Sequence, residues 1–342
     1  MRVMNVMLAR GDGGVEQASA DYVLMLLNQG CKVSCVYVQK AKSKQLLYPY
    51  LKYIEFHQIK RFGSRDILAI FKVRKIIKDF KPDIVIAHAN HAAFIAGIAA
   101  IKLVTTIGVS HGYSVKGTKY TDYVICITNH MKSILQTKIS KPIFVIPNIT
   151  PIFKPITDNF TFRSPPVIGA LGRFGFEKNF SLLLQAVKIL KNKNIIVKVI
   201  IGGDGPESNN LQQEAELLGI HDHLQWLGWV TDKDSFFSSI DIFCLTSNDE
   251  PFGIVLLEAM INCKAIISTN TYGAQEVLSH NNDSLIIPIN NPEKLAEAII
   301  CFINNPEFAK QCIKQAYNKV KDHYTPEIVG KDLHRVIKLC TA

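Results

Sequence analysis

No two of the eight cysteines stand at Cys-x-x-Cys spacing, and Cys31, Cys35, Cys126 and Cys244 sit in apolar, strand-like surroundings. A disulfide framework is therefore not expected; reduced core thiols in a cytoplasmic protein are. Long apolar runs are missing too. The longest, Ala92 to Val109, is broken by Lys102 and Thr105-Thr106, so it reads as a helix followed by a strand and not as a membrane span. The opening Met1 to Ala9 enters a Gly-rich turn, which reads as a buried strand and not as a secretory signal. Acid is scarce in the first half: residues 1–155 hold 22 Lys and Arg against 8 Asp and Glu, net +14, whereas residues 156–342 are net −4. Nucleic acid and anionic membrane are the usual partners of such a basic surface.

What is present suffices for two cores. A chain of 342 residues, 48% hydrophobic and 20% charged, is expected to be globular with two domains. The order strand (Val3 to Ala9), Gly-rich turn (Arg10 to Gly14), helix (Gln17 to Gln29), strand (Val33 to Val38) is a βαβ opening, so a parallel sheet with helices on both faces is predicted. The turn Gly11-Asp12-Gly13-Gly14-Val15-Glu16 fails as a dinucleotide fingerprint. Glu16 takes the third glycine position, and the second strand ends at Val38-Gln39-Lys40 without an acid for a ribose. It is either a plain tight turn or a place where a ligand approaches the backbone closely.

Residues 40–61 interleave Lys40, Lys42, Lys44, Lys52, Lys60 and Arg61 with tyrosine and leucine, and docking on an anionic bilayer is expected of them. Arg65 to Lys81, a helix with Ile67, Leu68 and Phe71 beside Lys72, Arg74, Lys75 and Lys78, reads better as a solvated face packed on a sheet. His111 follows the strand Thr105 to Ser110, where open α/β sheets place ligand groups, or else is structural. His88, His91, His130, His221 and His223 lack that support and read as structural or surface residues. Thr150 to Pro166, with four prolines, reads as a linker. A second α/β series follows, through Val167 to Leu171, the turn Gly172 to Asn179, Val197 to Ile201, Leu224 to Leu227 and Ile242 to Thr246. Two such halves imply a cleft between them.

The densest chemistry lies in Asn248 to Met260. Glu250 precedes Pro251, which suits a first helical position, so Glu250 is expected outside a helix and Glu258 within it, with the free N–H groups of the first turn between them. That layout suits a ligand with hydroxyls at both ends and a diphosphate in the middle, as in a nucleotide sugar. Otherwise the two are ordinary helix acids. Arg173 and Lys178, at a strand end and the next helix start, are placed to meet the charge that grows on a departing nucleoside diphosphate, unless they are surface residues.

With Gly13-Gly14-Val15-Glu16, His111-Gly112, Ile146-Pro147-Asn148, Gly172-Arg173 to Lys178-Asn179, Gly202-Gly203-Asp204-Gly205-Pro206, Leu227-Gly228 and the Glu-x7-Glu spacing of Glu250 and Glu258, the chain resembles the retaining glycosyltransferases of family four. The resemblance implies the GT-B fold, α/β, with two Rossmann-like parallel-sheet domains facing each other across a cleft. Residues 1–155 would be the acceptor side and 156–325 the donor side, with a final helix in 326–342 crossing back to the first domain. It also implies roles. Arg173 and Lys178 would hold the pyrophosphate, Glu250 the transferred sugar, the backbone of Phe252, Gly253 and Ile254 sugar and phosphate, Glu258 the ribose, Val230 the base, Gly14 the phosphate, and His111 would lie beside the reacting sugar. No cofactor and no metal are implied, the donor being a nucleotide sugar, UDP-linked by preference. Asp232-Lys233-Asp234 has the spacing of a cation motif but reads as a helix start.

The acceptor is expected to be a glycan or glycolipid of lipopolysaccharide or capsule type, handled at the inner face of the cell membrane through the basic first domain. A sugar-nucleotide epimerase on the same architecture is the nearest alternative. A basic nucleic-acid-binding module is the alternative of another class, disfavoured because the basic half is joined to an acidic one carrying a phosphate-site pattern.

Overall fold

The first strand shows why its sheet is buried on both faces. In β1 (Arg2–Met7), Val3 and Met7 enter one core with Tyr22, Met25 and Leu26 of α1 (Gly14–Asn28), while Met4 and Val6 enter another with Val73 and Ile77. A strand covered on both sides reads as a nearly continuous apolar run, as β1 does from Val3 to Met7 with Asn5 its one polar residue. In this computed structural model, the described residues are 1–11, 13–39, 41–60, 63, 66–151 and 160–342, with the side chains of Lys42 and Ser43 excepted. Asp12 of the Gly-rich turn, Lys40, Arg61 and Arg65 of the basic stretch, and residues 152–159 of the expected linker lie outside them.

The chain divides into two compact units, Met1–Pro151 with His323–Ala342, and Ile152–Asp322. In the first, β2 (Lys32–Val38), β3 (Ile54–Ile59), α2 (Ile67–Phe80), β4 (Ile84–His88), α3 (Ala89–Ala100), β5 (Thr105–Ser110), β6 (Tyr123–Cys126), α4 (Asn129–Gln136) and β7 (Ile143–Val145) follow α1. The seven strands are all parallel, in the order β3-β2-β1-β4-β5-β6-β7. The run Ala92 to Val109 is indeed a helix, α3, and a strand, β5.

In the second unit the elements are β8 (Val167–Leu171), α5 (Phe180–Asn192), β9 (Lys198–Gly202), α6 (Ser208–Leu217), β10 (Leu224–Gly228), α7 (Lys233–Ser239), β11 (Ile242–Leu245), α8 (Ile254–Ile261), β12 (Ala265–Thr269), α9 (Tyr272–Val277), β13 (Leu285–Ile287), α10 (Pro292–Asn304) and α11 (Pro306–His323). Its six parallel strands run β10-β9-β8-β11-β12-β13. The final helix, α12 (Pro326–Thr341), lays Val329, Leu333, Val336 and Ile337 into the core that holds Met25 and Leu26 of α1.

β3 is a correction to the sequence reading, which saw only a basic, tyrosine-rich stretch there. Residues 42–53 form 3-10 turns that bury Leu47 completely and pack Leu46 and Tyr50 on the first core, leaving Tyr48 and Tyr53 exposed. β3 then pairs along β2 as an edge strand, half covered, so its apolar signal is diluted by Glu55, His57 and Gln58.

Candidate functional site

In each sheet the strand order reverses direction at one point, between β1 and β4 in the first and between β8 and β11 in the second. Ligands of open α/β sheets bind outside the carboxyl ends of the strands at such points. The turn after β8 carries Arg173 and Lys178, and the loop after β11 carries Glu250.

These two loops are laced together by backbone and amide groups. Asn248 and Asp249 donate their N–H groups to the Glu177 carbonyl, Thr246 Oγ1 donates to the Lys178 carbonyl at 3.0 Å, and Asn179 Nδ2 donates to Asn248 Oδ1 at 3.0 Å. Asn179, at φ 46°, turns the chain from the short 3-10 turn Phe176–Lys178 into α5. The result brings Lys178 Nζ to 2.5 Å from Glu250 Oε2, across 72 positions of sequence. Glu250 is 7% exposed, so its charge is compensated by Lys178, as a buried carboxylate requires. Arg173 is exposed, and its guanidinium makes no hydrogen bond or ion pair among the described residues.

The helix after Glu250 begins later than Pro251 suggests. Gly253 has φ 85°, a left-handed conformation that helical backbone cannot run through, so α8 starts at Ile254 and Pro251 stays in the turn. Glu250 lies outside the helix and Glu258 inside it. Phe252 is a fully buried anchor for the turn, and the backbone of Gly253 and Ile254 opens the helix. A residue that the sequence reading assigned no role holds the turn from the other side. Gly273 donates its N–H to the Glu250 carbonyl at 3.0 Å, and a Cβ there would lie 2.2 Å from that oxygen and 2.5 Å from Phe252 N. The available signal in the sequence was the glycine shortly after the strand ending at Thr269, in Thr271-Tyr272-Gly273-Ala274.

Glu258 Oε1 accepts from Lys233 Nζ at 2.5 Å, while Oε2 is buried without a hydrogen-bond partner among the described residues. Burial raises the Glu258 pKa, and the Lys233 ammonium opposes that rise. Lys233 opens α7, capped by Asp232, whose carboxylate accepts from Ser235 N at 3.0 Å, three residues beyond Val230. Val230 lines a cavity of about 360 Å³ with Leu227, Thr231, Asp232 and Phe236. It also packs on Gly202 at the end of β9, where a Cβ would meet Val230 Cγ2 at 2.6 Å. The glycine turns behind this edge interlock: Gly172 N–H donates to the Gly202 carbonyl, and Gly203 N–H to the Gly228 carbonyl. Arg173, Lys178, Val230, Glu250, Phe252, Gly253, Ile254 and Glu258 thus all belong to the second unit.

Gly14 and His111 belong to the first. Gly14 opens α1, and Glu16, the residue that spoils the dinucleotide fingerprint, folds back to accept the Gly13 N–H at 3.1 Å. His111 is half-buried just past β5, and burial pushes its pKa down to about 4. Its Nε2 lies 3.2 Å from Nδ1 of His88. His88, read from the sequence as a structural or surface residue, is structural and fully buried; β4 and β5 are neighbours with His88 opposite Val109, so both histidines emerge at one sheet edge, a contact the sequence reading did not foresee. Adjacent strands that each end near a histidine were the available signal. Among the described residues no cluster of metal-ligating side chains occurs, and no helix is long and apolar enough to cross a membrane.

The family description "Glycosyltransferase Family 4" matches residues 12–151, and "Glycosyl transferases group 1" matches residues 156–319. The chain is 24% identical over 324 residues to the lipopolysaccharide core biosynthesis glycosyltransferase LpsE of Rhizobium meliloti (strain 1021), covering 93% of this chain and 94% of that one. It is 28% identical over 250 residues to LpsD of the same organism, covering 70% of each. The crystal structure of Anabaena HepE in complex with UDP and glucose superposes with a TM-score of 0.83 at 18% identity, over 99% of this chain and 100% of that one. At that identity the likeness establishes the fold.

Proposed function

We propose that this chain, a glycosyltransferase of the GT-B fold, moves a sugar from a nucleotide-diphosphate donor, UDP-linked by preference, to a hydroxyl of a bacterial glycan, with retention at the anomeric carbon. The observation that carries this reading is the Lys178–Glu250 pair at the carboxyl ends of β8 and β11. An ammonium has three donors. Lys178 can hold Glu250 and still direct a hydrogen at a diphosphate oxygen, while Glu250, acceptor only, is aimed at a sugar hydroxyl. Arg173, exposed and uncommitted, adds a second cation for the charge that develops on the leaving group. Glu258 Oε2 lacks, among the described residues, the donor that a ribose hydroxyl would supply, and Val230 is assigned to the base by the family resemblance. The backbone of Phe252, Gly253 and Ile254 is assigned to sugar and phosphate. From the first unit, Gly14 is assigned to phosphate and His111 to the reacting sugar by the family resemblance. Relatives named for lipopolysaccharide core synthesis support a glycan acceptor of that type.

Membrane association is part of the proposal, carried by α2 instead of residues 40–61, where Leu47 is buried and Leu46 and Tyr50 pack on the core. Ile67, Leu68 and Phe71 on the first turns of α2 are 66%, 60% and 65% exposed, next to exposed Lys72 and Lys75. Apolar side chains rimmed by lysine suit an anionic bilayer surface.

The test is a screen of nucleotide sugars for thermal stabilisation, followed by transfer assays with the stabilising donor and lipid-linked or lipopolysaccharide acceptors. A ligand bound only by the folded state raises the melting temperature. Stabilisation by no nucleoside diphosphate or nucleotide sugar would overturn the reading, and isomerisation of the donor without acceptor would replace it with an epimerase.

A further inference from the structure

Inside the apolar β1 stands one fully buried polar side chain, Asn5. Its Nδ2 donates to the Ser19 carbonyl and to Ser19 Oγ, both at 3.1 Å. A backbone carbonyl only accepts, so the amide nitrogen must face it, and this settles which way Asn5 points. Oδ1 is thereby turned to His88 Nε2 at 2.8 Å. An amide oxygen also only accepts, so His88 Nε2 carries a hydrogen. His88 is wholly buried, and that burial, with His111 beside it, holds its pKa well below the usual value. The ring is therefore neutral with a single N–H, and Nδ1 is a lone pair. That lone pair faces His111 Nε2, which must then be the protonated nitrogen of His111. Tyr22 meets His88 edge-on at 4.7 Å, and the two imidazoles lie 5.5 Å apart at 23°; among the described residues Asn5 and His111 are the hydrogen-bond partners of the His88 ring.

We propose that Asn5 and His88 are positioning residues that fix His111 as its Nε2–H tautomer, so that Nδ1 presents a standing lone pair to a hydroxyl of the bound sugar. Nδ1 of His111 has no partner among the described residues, and the ring is half-buried rather than sealed. A fixed acceptor welcomes an O–H group and repels a carboxylate or phosphate oxygen, lone pair against lone pair. An imidazole free to exchange tautomers would offer N–H to either. The selectivity for hydroxyl thus originates in a strand-buried asparagine two residues removed from any ligand. The identity of that hydroxyl as a sugar's rests on the glycosyl-transfer reading; the tautomer rests on this unit alone.

The experiment is long-range 1H–15N correlation spectroscopy of the full chain labelled with 15N-histidine at neutral pH, without substrate, assigned with His111→Asn. Expected are pyrrole-type Nε2 and pyridine-type Nδ1 signals for both His88 and His111. In Asn5→Leu, which keeps the volume and removes the acceptor, the His111 signals should move toward averaged values. The kcat for transfer should fall roughly three- to ten-fold, as for loss of one neutral hydrogen bond, with the donor KM unchanged. A protonated Nδ1 on wild-type His111, averaged tautomers in the wild type, or an Asn5→Leu spectrum identical to wild type overturns the proposal. The wild-type spectrum can do so whether or not Asn5→Leu folds. Absence of sugar transfer counts instead against the glycosyl-transfer reading, and is distinguishable because the spectrum needs no substrate.

Discussion

Lys178 and Glu250 meet at 2.5 Å although one closes the turn after β8 and the other follows β11. Their side chains are 24% and 9% exposed, so the pair is shielded on one partner and reachable on the other. Glu250→Ala should lower transfer roughly ten- to hundred-fold, since a hydrogen bond to a charged group contributes about 1.5–3 kcal/mol. Initial-rate kinetics with the stabilising donor, together with a melting curve showing an intact fold, check this. Full activity in that variant would remove Glu250 from the site.

Arg173 offers the opposite case. Because it is exposed and its guanidinium has no partner among the described residues, Arg173→Ala should leave the melting temperature of the free protein unchanged while weakening nucleoside-diphosphate binding. Calorimetric titration decides between this and a solvated surface arginine, which would leave affinity as it is.

Gly273 has no room for a side chain. In Gly273→Ala the new Cβ meets backbone atoms of Glu250, Pro251 and Phe252 at 2.2–2.5 Å, and backbone cannot rotate away as a side-chain tip can. A loss of roughly 1–3 kcal/mol is expected from such overpacking, with displacement of the Glu250 turn. Urea denaturation measures the first and donor affinity the second; a variant as stable as wild type contradicts the geometry.

Glu258 predicts a pH effect. Burial raises its pKa in the folded state, so the folded chain holds the proton more tightly than the unfolded chain does. The stability this contributes is complete below the unfolded value and is lost as pH rises through the folded value. Glu258→Gln removes that loss. Denaturation of the ligand-free proteins from mildly acid to neutral pH should show the variant gaining on wild type as pH rises, and parallel curves would speak against it.

At α2, Leu68→Ser with Phe71→Ser should abolish flotation with anionic vesicles without lowering stability, since both side chains are already 60% or more exposed. Equal flotation of variant and wild type would clear this face of the role.

Much of the fold is legible in the chain because buried parallel strands announce themselves. Val167–Leu171 is an unbroken apolar run and Val33 to Val38 is interrupted by Ser34 alone; both are ended by glycine or polar turns, and they are strands within a residue of where the pattern places them. β3 escaped because an edge strand buries one face only, and its polar half resembles a surface loop. The start of α8 escaped for a local reason: proline favours a helix start, but a left-handed glycine two residues later forbids one. The contact of His88 with His111 escaped because strand pairing has to be inferred: two strands in succession that each end near a histidine hint at it, but only the sheet order makes β4 and β5 neighbours.

Residue types and spacing by themselves determined two α/β units, a Gly-rich turn that departs from the dinucleotide fingerprint, and an acidic stretch beginning at Glu250. Those properties are set within a few residues, by periodicity and by the backbone freedom of glycine. Only the tertiary structure decided that Lys178 neutralises Glu250, that Lys233 satisfies one oxygen of Glu258 and leaves the other without a donor among the described residues, and that Asn5 reaches His111 through His88. A charge or a hydrogen-bonding atom has no assigned partner until strand order brings distant loops within about 3 Å, and that order is a property of the whole packed sheet.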